Sequence, residues 1–149
     1  MPGRVAQHVA PGLDLVQVGR QVRIAPALAD QGPVQPVDER AEGIGRDVVE
    51  LVNLRCSQLN GCAFCVQHHI LFSERLGVPV DKLNLIAVWR EAPIFSPRER
   101  AALAWTEALT FLPDGVSDEV YAEATREFSE TELLCLTSAV ASINVWNRF

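Results

Sequence analysis

Glu50-Leu-Val-Asn-Leu-Arg-Cys56-Ser-Gln-Leu-Asn60-Gly-Cys62-Ala-Phe-Cys65-Val-Gln-His68-His69 is the stretch whose reading decides the fold. Val48, Leu51, Val52 and Leu54 recur at helical spacing and predict a helix running to about Gln58. Its start is indistinct, because Gly43 and Gly45 are poor helix formers. Asn60-Gly61 breaks it. A second helix then spans about Cys62 to Leu76, with Gly77 suited to the residue just past its end and Pro79 beyond. Two helices around so short a break form an antiparallel hairpin.

The helical pattern extends outward on both sides. Downstream, Asp81 is placed to cap a helix carrying Leu83, Leu85, Ile86, Val88 and Trp89, which Ala92-Pro93 ends. Ser96-Pro-Arg-Glu99 is a capping sequence with proline at the first helical position. It opens a helix over Ala101 to about Leu112, closed by Pro113-Asp-Gly. Ser117 and Ser129 open two more, the last holding Leu133, Leu136, Val140, Ile143 and Trp146. Upstream, residues 1–12 read as a loose arm. Leu13, Val16, Arg20 and Ile24 suggest a helix ending near Pro26 or Ala29, and Gln31 to Pro36 reads as a linker. No period-2 segment reads as a strand. The expectation is an all-α bundle of about six or seven helices in one domain, residues 1–149.

Composition agrees and excludes several classes. The chain has 149 residues, 48% of them hydrophobic and 21% charged, which fits a globule and not a disordered chain. A net charge of −6 argues against nucleic acid as a partner. Seven acids and one base lie between Pro113 and Glu132. They read as a solvated helix face, with an acidic docking surface as the alternative. No run of apolar residues is long enough to span a membrane, and no leader is visible at the N-terminus. The expected compartment is therefore the cytoplasm, where paired cysteines signal redox chemistry or metal binding more often than structural disulfides.

The chemistry lies in the hairpin. At roughly 100° per residue, Cys62, Cys65 and His69 share one stripe of about 60° on the second helix, and His68 lies within about 60° of Cys65. Cysteines in a first helical turn have their thiolates stabilised by the unpaired N–H groups and the helix dipole. Their i, i+3 spacing permits an intramolecular disulfide. His69 is one turn beyond Cys65, within reach of its proton. Glu50, about 15 Å before the break at 1.5 Å per residue, stands at a height similar to that of His69. It shares a helix face with Leu54 and Ser57. An acid–histidine–thiol relay follows.

Other readings compete. Zinc is one, because Cys62, Cys65 and His69 are ligand types; the fourth ligand would be Glu50, His68 or His8. The usual second C-x-x-C or H-x-x-x-H of a structural zinc site is missing, so no metal is assigned. Cys56 and Cys135 read as buried, inert cysteines. His8, in the arm, has no role. Trp89, Trp105 and Trp146 read as core or subunit-interface residues.

The pattern Glu50-x11-Cys62-x-x-Cys65-x-x-x-His69, with Ser57-Gln-Leu-Asn60-Gly inside it, resembles the alkylhydroperoxidase D-like core of the carboxymuconolactone decarboxylase superfamily. The resemblance continues through Ala87 to Glu91, Phe95 to Thr110, Val116 to Tyr121 and Ile143-Asn144-x-x-Asn147-Arg148, and covers about residues 45–148. It implies an all-α fold assembling as trimers or hexamers, and a thiol peroxidase that uses neither metal nor cofactor. It implies Cys65 as the peroxide-attacking thiolate, Cys62 as the resolving thiol, and Glu50 with His69 as the proton relay. Ser57, Asn60 and His68 are supporting candidates. An external dithiol, on a lipoylated or thioredoxin-like protein, would restore the thiols. Between the cysteines this chain carries Ala63-Phe64, where the better-studied peroxidase branch carries a histidine. A general thiol–disulfide oxidoreductase or redox sensor is one alternative, and a lactone decarboxylase of the same superfamily is another.

Overall fold

Arg46–Leu59 (α1) is the helix around which the others assemble. The computed structural model describes residues 43–149; the expected arm, upstream helix, linker and His8 lie outside them. The remaining helices are α2 (Ala63–Arg75), α3 (Val80–Leu85), a 3-10 turn (Ile86–Val88), α4 (Pro97–Thr110), α5 (Asp118–Glu127) and α6 (Glu130–Trp146). The described residues contain no strand, and the all-α expectation holds.

α1 has apolar residues on more than one face, so it is buried from several sides. Val48, Val49 and Val52 join Ala101, Trp105, Leu136 and Val140 in one core cluster. Leu51 and Leu54 join Ile86, Trp89, Phe95 and Leu103 in a second. α4 and α6 pack on α1, and α2 packs along it as the other arm of the hairpin. α2 itself buries only Cys65 and Ser73.

The sequence signals for helix ends mostly hold. Gly45 is the N-cap of α1, so the glycines precede the helix and do not interrupt it. Ser96 with Glu99 and Ser129 with Glu132 form capping boxes on α4 and α6, and the Ser117 hydroxyl accepts from the Val120 N–H on α5. Gly77, at φ +81°, takes the left-handed position after α2. α3 departs from expectation. Its N-cap is Pro79, whose carbonyl accepts from the N–H groups of Lys82 and Leu83, and Asp81 lies inside the first turn. The helix also gives way to the 3-10 turn after Leu85. Leu83, Ile86 and Trp89 are all buried, and their spacing of three matches the 3-10 winding.

Trp89 and Trp105 are core residues, as expected, but Trp146 is 55% exposed and does not belong to the core. Within the acidic stretch, Asp114, Asp118, Glu119 and Glu130 are exposed, whereas Glu132 pairs with Arg98 at 2.6 Å. Among the described residues, no helix is long and apolar enough to cross a membrane.

Candidate functional site

The turn between α1 and α2 is built by its backbone. The Asn60 N–H donates to the Cys56 carbonyl, Gly61 N–H to Gln58, and Cys62 N–H to Ser57. Gly61 sits at φ +68°, which a residue with a Cβ adopts at a cost. This reversal delivers Cys62 as the N-cap of α2, with extended backbone (φ −84°, ψ 94°). The helical-wheel position for Cys62 is therefore corrected: it stands just before the helix, and only Cys65 lies within the first turn. Cys62 takes the position that serine or aspartate favours, and its sulfur accepts the Cys65 N–H at 3.3 Å.

Cys62 and Cys65 are joined as a disulfide, with their Cα atoms 5.4 Å apart. In this state neither offers a thiolate to a metal. Cys65 is buried, while Cys62 keeps partial exposure. His69 follows one turn after Cys65 on α2. Its Nδ1 lies 2.8 Å from Glu50 Oε2. Glu50 and His69, expected at similar heights across the hairpin, are thus brought within hydrogen-bond distance. Glu50 is buried, and its second oxygen accepts from Asn53 Nδ2 at 3.2 Å. An ionised carboxylate on Nδ1 fixes a proton there and leaves Nε2 as the basic nitrogen of the neutral ring. Asn53 escapes sequence reasoning, although its i+3 spacing from Glu50 was available to suggest it.

The supporting candidates separate into two groups. Ser57 and Asn60 do not hydrogen-bond to Glu50 or His69; they belong to a second polar cluster. Ser57 Oγ donates to the Asn53 carbonyl at 2.7 Å and accepts from Asn147 Nδ2 at 3.1 Å. Asn60 Nδ2 points at the Cys56 carbonyl, Asn144 Oδ1 and Asn147 Oδ1, each at 3.0 Å. This cluster ties the hairpin turn to the end of α6. His68 lies on the exposed side, edge-on to His69 at 5.2 Å and tilted against Phe72 at 4.6 Å. Burial, and then the neighbouring His69 and Arg75, hold its pKa below the ordinary histidine value, with Glu50 acting the other way.

Cys56 is fully buried, in the same polar cluster. Burial pushes its thiol pKa up, against the lowering effect of bonds to Thr110 and Asn60. Such a thiol is a poor nucleophile. Cys135 differs from the buried reading, because it is only partly covered on α6. A further polar group went unrecognised in the sequence. Glu107 of α4 accepts from Arg55 at 2.7 Å, from Trp89 Nε1 at 3.0 Å and from Arg90 at 2.5 Å, and so joins α4 to α1 and to the segment after the 3-10 turn. A shallow groove of about 480 Å³ lies along α2 beside Ala63, Val66, Gln67 and Ile70, and none of Glu50, Cys62, Cys65 or His69 lines it.

Comparison with known proteins places this geometry in context. The sequence profile of the carboxymuconolactone decarboxylase family matches residues 37–108. The uncharacterised protein YdfG of Bacillus subtilis (strain 168) is 34% identical over 110 residues, covering 73% of this chain and 75% of YdfG. The uncharacterised protein YnjA of Escherichia coli (strain K12) is 36% identical over 103 residues, 68% of this chain but 56% of YnjA. Among solved structures, ATU0492 of Agrobacterium tumefaciens is 34% identical with a TM-score of 0.72, covering 85% of this chain and 90% of its own. It is described as a protein of unknown function with a suggested AhpD antioxidant-defence role. The debrominase Bmp8 in its apo form has a TM-score of 0.68 at 23% identity, covering 75% of this chain and 60% of its own, a likeness of fold.

Proposed function

The chain belongs to the carboxymuconolactone decarboxylase family, in its alkylhydroperoxidase D-like branch, and from that premise we propose that it is a thiol-dependent peroxidase. One observation carries the reading: the Cys62–Cys65 disulfide opens α2 one turn before His69, whose Nδ1 is held by the buried Glu50.

In the reduced protein, Cys65 gives its proton toward His69 and attacks the terminal oxygen of a hydroperoxide. The O–O bond breaks, and the alkoxide or hydroxide leaves with a proton from the relay. Cys65 becomes a sulfenic acid. Cys62 attacks that sulfur, water leaves and the disulfide forms. An external dithiol then returns two electrons. Glu50 orients the ring and stabilises its charged form, with Asn53 holding the second carboxylate oxygen. Hydrogen peroxide and small organic hydroperoxides are the substrate class. Exposed Leu134, Val145 and Trp146 on α6 support assembly into homo-oligomers, as the trimers or hexamers of the resemblance; a monomeric mass by light scattering would contradict this.

The partial exposure of Cys62 also favours a second reading, a thiol–disulfide oxidoreductase that handles peroxide poorly. Peroxide consumption with dithiothreitol as electron donor separates the two. The peroxidase reading predicts turnover that is lost in Cys65→Ser. Equal turnover in that variant, or none in the wild type while the disulfide still cycles, contradicts it.

A further inference from the structure

The disulfide is asymmetric in access. Cys65 is 8% exposed and lies in the first turn of α2, the helix packed along α1. Cys62 stands outside the helix as its N-cap and is partly exposed. Thiol–disulfide exchange proceeds in line, so the incoming thiolate must reach the attacked sulfur on the side away from the bond that breaks. A peroxide is small enough to reach a nearly buried sulfur. A dithiol borne on a cofactor arm or on a protein is much larger.

We infer that the electrons re-enter the pair at Cys62: the external reductant attacks Cys62 Sγ, and Cys65 is the leaving group. This rests on the cycling pair of the proposed function and adds the direction in which it is reset. The reductant's thiolate forms a bond to Cys62 Sγ, and the Cys62–Cys65 bond breaks. The electron pair goes to Cys65, whose thiolate takes a proton through His69, one turn along α2. The reductant's second thiol, as its thiolate, then attacks the reductant's own sulfur in the mixed disulfide. That closes the oxidised reductant and expels Cys62 as a thiolate. The dithiol loses two electrons and two protons, and the cysteine pair gains both.

Each departing thiolate has a partner in place. Cys65 has His69 within a helical turn. Cys62 has the Cys65 N–H, already directed at its sulfur at 3.3 Å and joined there by the positive end of α2. Attack in the opposite sense would require the larger molecule to reach the covered sulfur, and would leave His69 beside the mixed disulfide instead of beside the leaving thiolate.

Sulfite tests the direction without any assumption about the physiological reductant. It cleaves a disulfide by adding to one sulfur as an S-sulfonate and releasing the other as a thiol. The oxidised wild-type protein is treated with sulfite under native conditions, quenched in acid and digested with pepsin, and the sulfonate is located by mass spectrometry. The inference predicts at least about tenfold more sulfonate on Cys62 than on Cys65, because attack at the more exposed Cys62 expels Cys65, whose departing thiolate has His69 one turn along α2 to supply its proton. Sulfonate chiefly on Cys65, an even division, or no cleavage of an intact native disulfide that cleaves after unfolding would each overturn it. Absence of peroxide turnover together with sulfonate on Cys62 would defeat the peroxidase reading and leave this inference standing.

Discussion

Glu50 Oε2 and His69 Nδ1 lie 2.8 Å apart across the α1–α2 hairpin, although 19 residues separate them in sequence. The pairing depends on the turn at Asn60-Gly61, because a shift of one residue in either arm would rotate one partner away by about 100°. Both side chains are largely shielded from water, where a charge-assisted hydrogen bond is stronger than at a surface. Glu50→Gln keeps the shape and removes the charge. It is expected to lower kcat/KM for peroxide by about 10²–10⁴, the range for loss of a positioned acid–base group. Steady-state kinetics beside an unchanged circular dichroism spectrum checks this; kcat/KM within a factor of about two of wild type would contradict the relay.

The turn itself is held from outside the hairpin. Asn60 donates to groups on both α1 and α6, and replacing it by alanine leaves Asn144 Oδ1 and Asn147 Oδ1 without that donor. Asn60→Ala is expected to cost about 1–3 kcal/mol in urea unfolding. Gly61→Ala meets no neighbouring atom, so its cost comes from the left-handed backbone alone, about 1 kcal/mol. If Gly61→Ala proves the more damaging of the two, the Asn60 cluster is not what fixes the turn.

Glu107 supplies a pH dependence. Burial alone would raise its pKa, but hydrogen bonds from Trp89, Arg90 and Arg55 outweigh that effect and hold it below the ordinary 4.5. A carboxylate lowered in the folded state contributes stability above its unfolded value and loses it as pH falls through the folded one. Wild-type Tm is therefore expected to fall between pH ~5 and pH ~3 more steeply than that of Glu107→Gln. Calorimetry at stepped pH reads the difference. Parallel curves for the two proteins would mean that the Glu107 cluster contributes nothing at acid pH.

Ser73 makes the opposite prediction to the hydrogen-bonded Asn60. Its hydroxyl is fully buried on α2 and has no hydrogen-bond partner. Removing an unsatisfied buried hydroxyl relieves a desolvation cost, so Ser73→Ala should stabilise the protein by about 1 kcal/mol. A loss of stability in the same urea assay would show that the hydroxyl is satisfied in solution, for instance by a bound water.

Much of this architecture is legible in the sequence because local signals and tertiary demands agree. Ser96-Pro-Arg-Glu99 and Ser129-Glu-Thr-Glu132 carry both halves of a capping box, and both form. The Glu50–His69 pairing follows from counting residues on either side of one break, since helical rise is fixed. The failures have physical causes too. Asp81 looks like a cap, but the Pro79 carbonyl already serves as first acceptor two residues earlier. The run from Leu83 to Trp89 looks like one helix, because a spacing of three suits α and 3-10 winding alike over a short span. The Glu107 and Asn60 clusters join residues 52 and 84 or more positions apart through side chains, and no local pattern encodes which distant polar groups will meet.

In the proposed reaction Cys65 and Cys62 exchange two electrons with a peroxide. Reduced protein, freed of reductant under anaerobic conditions, is mixed with one equivalent of hydrogen peroxide, and free thiols are counted with time. The account predicts the loss of two thiols per chain, with the Cys62–Cys65 disulfide recovered by peptide mapping, while Cys65→Ser keeps its thiols on the same timescale. Undiminished thiols in the wild type, or equal consumption of peroxide by Cys65→Ser, would contradict it.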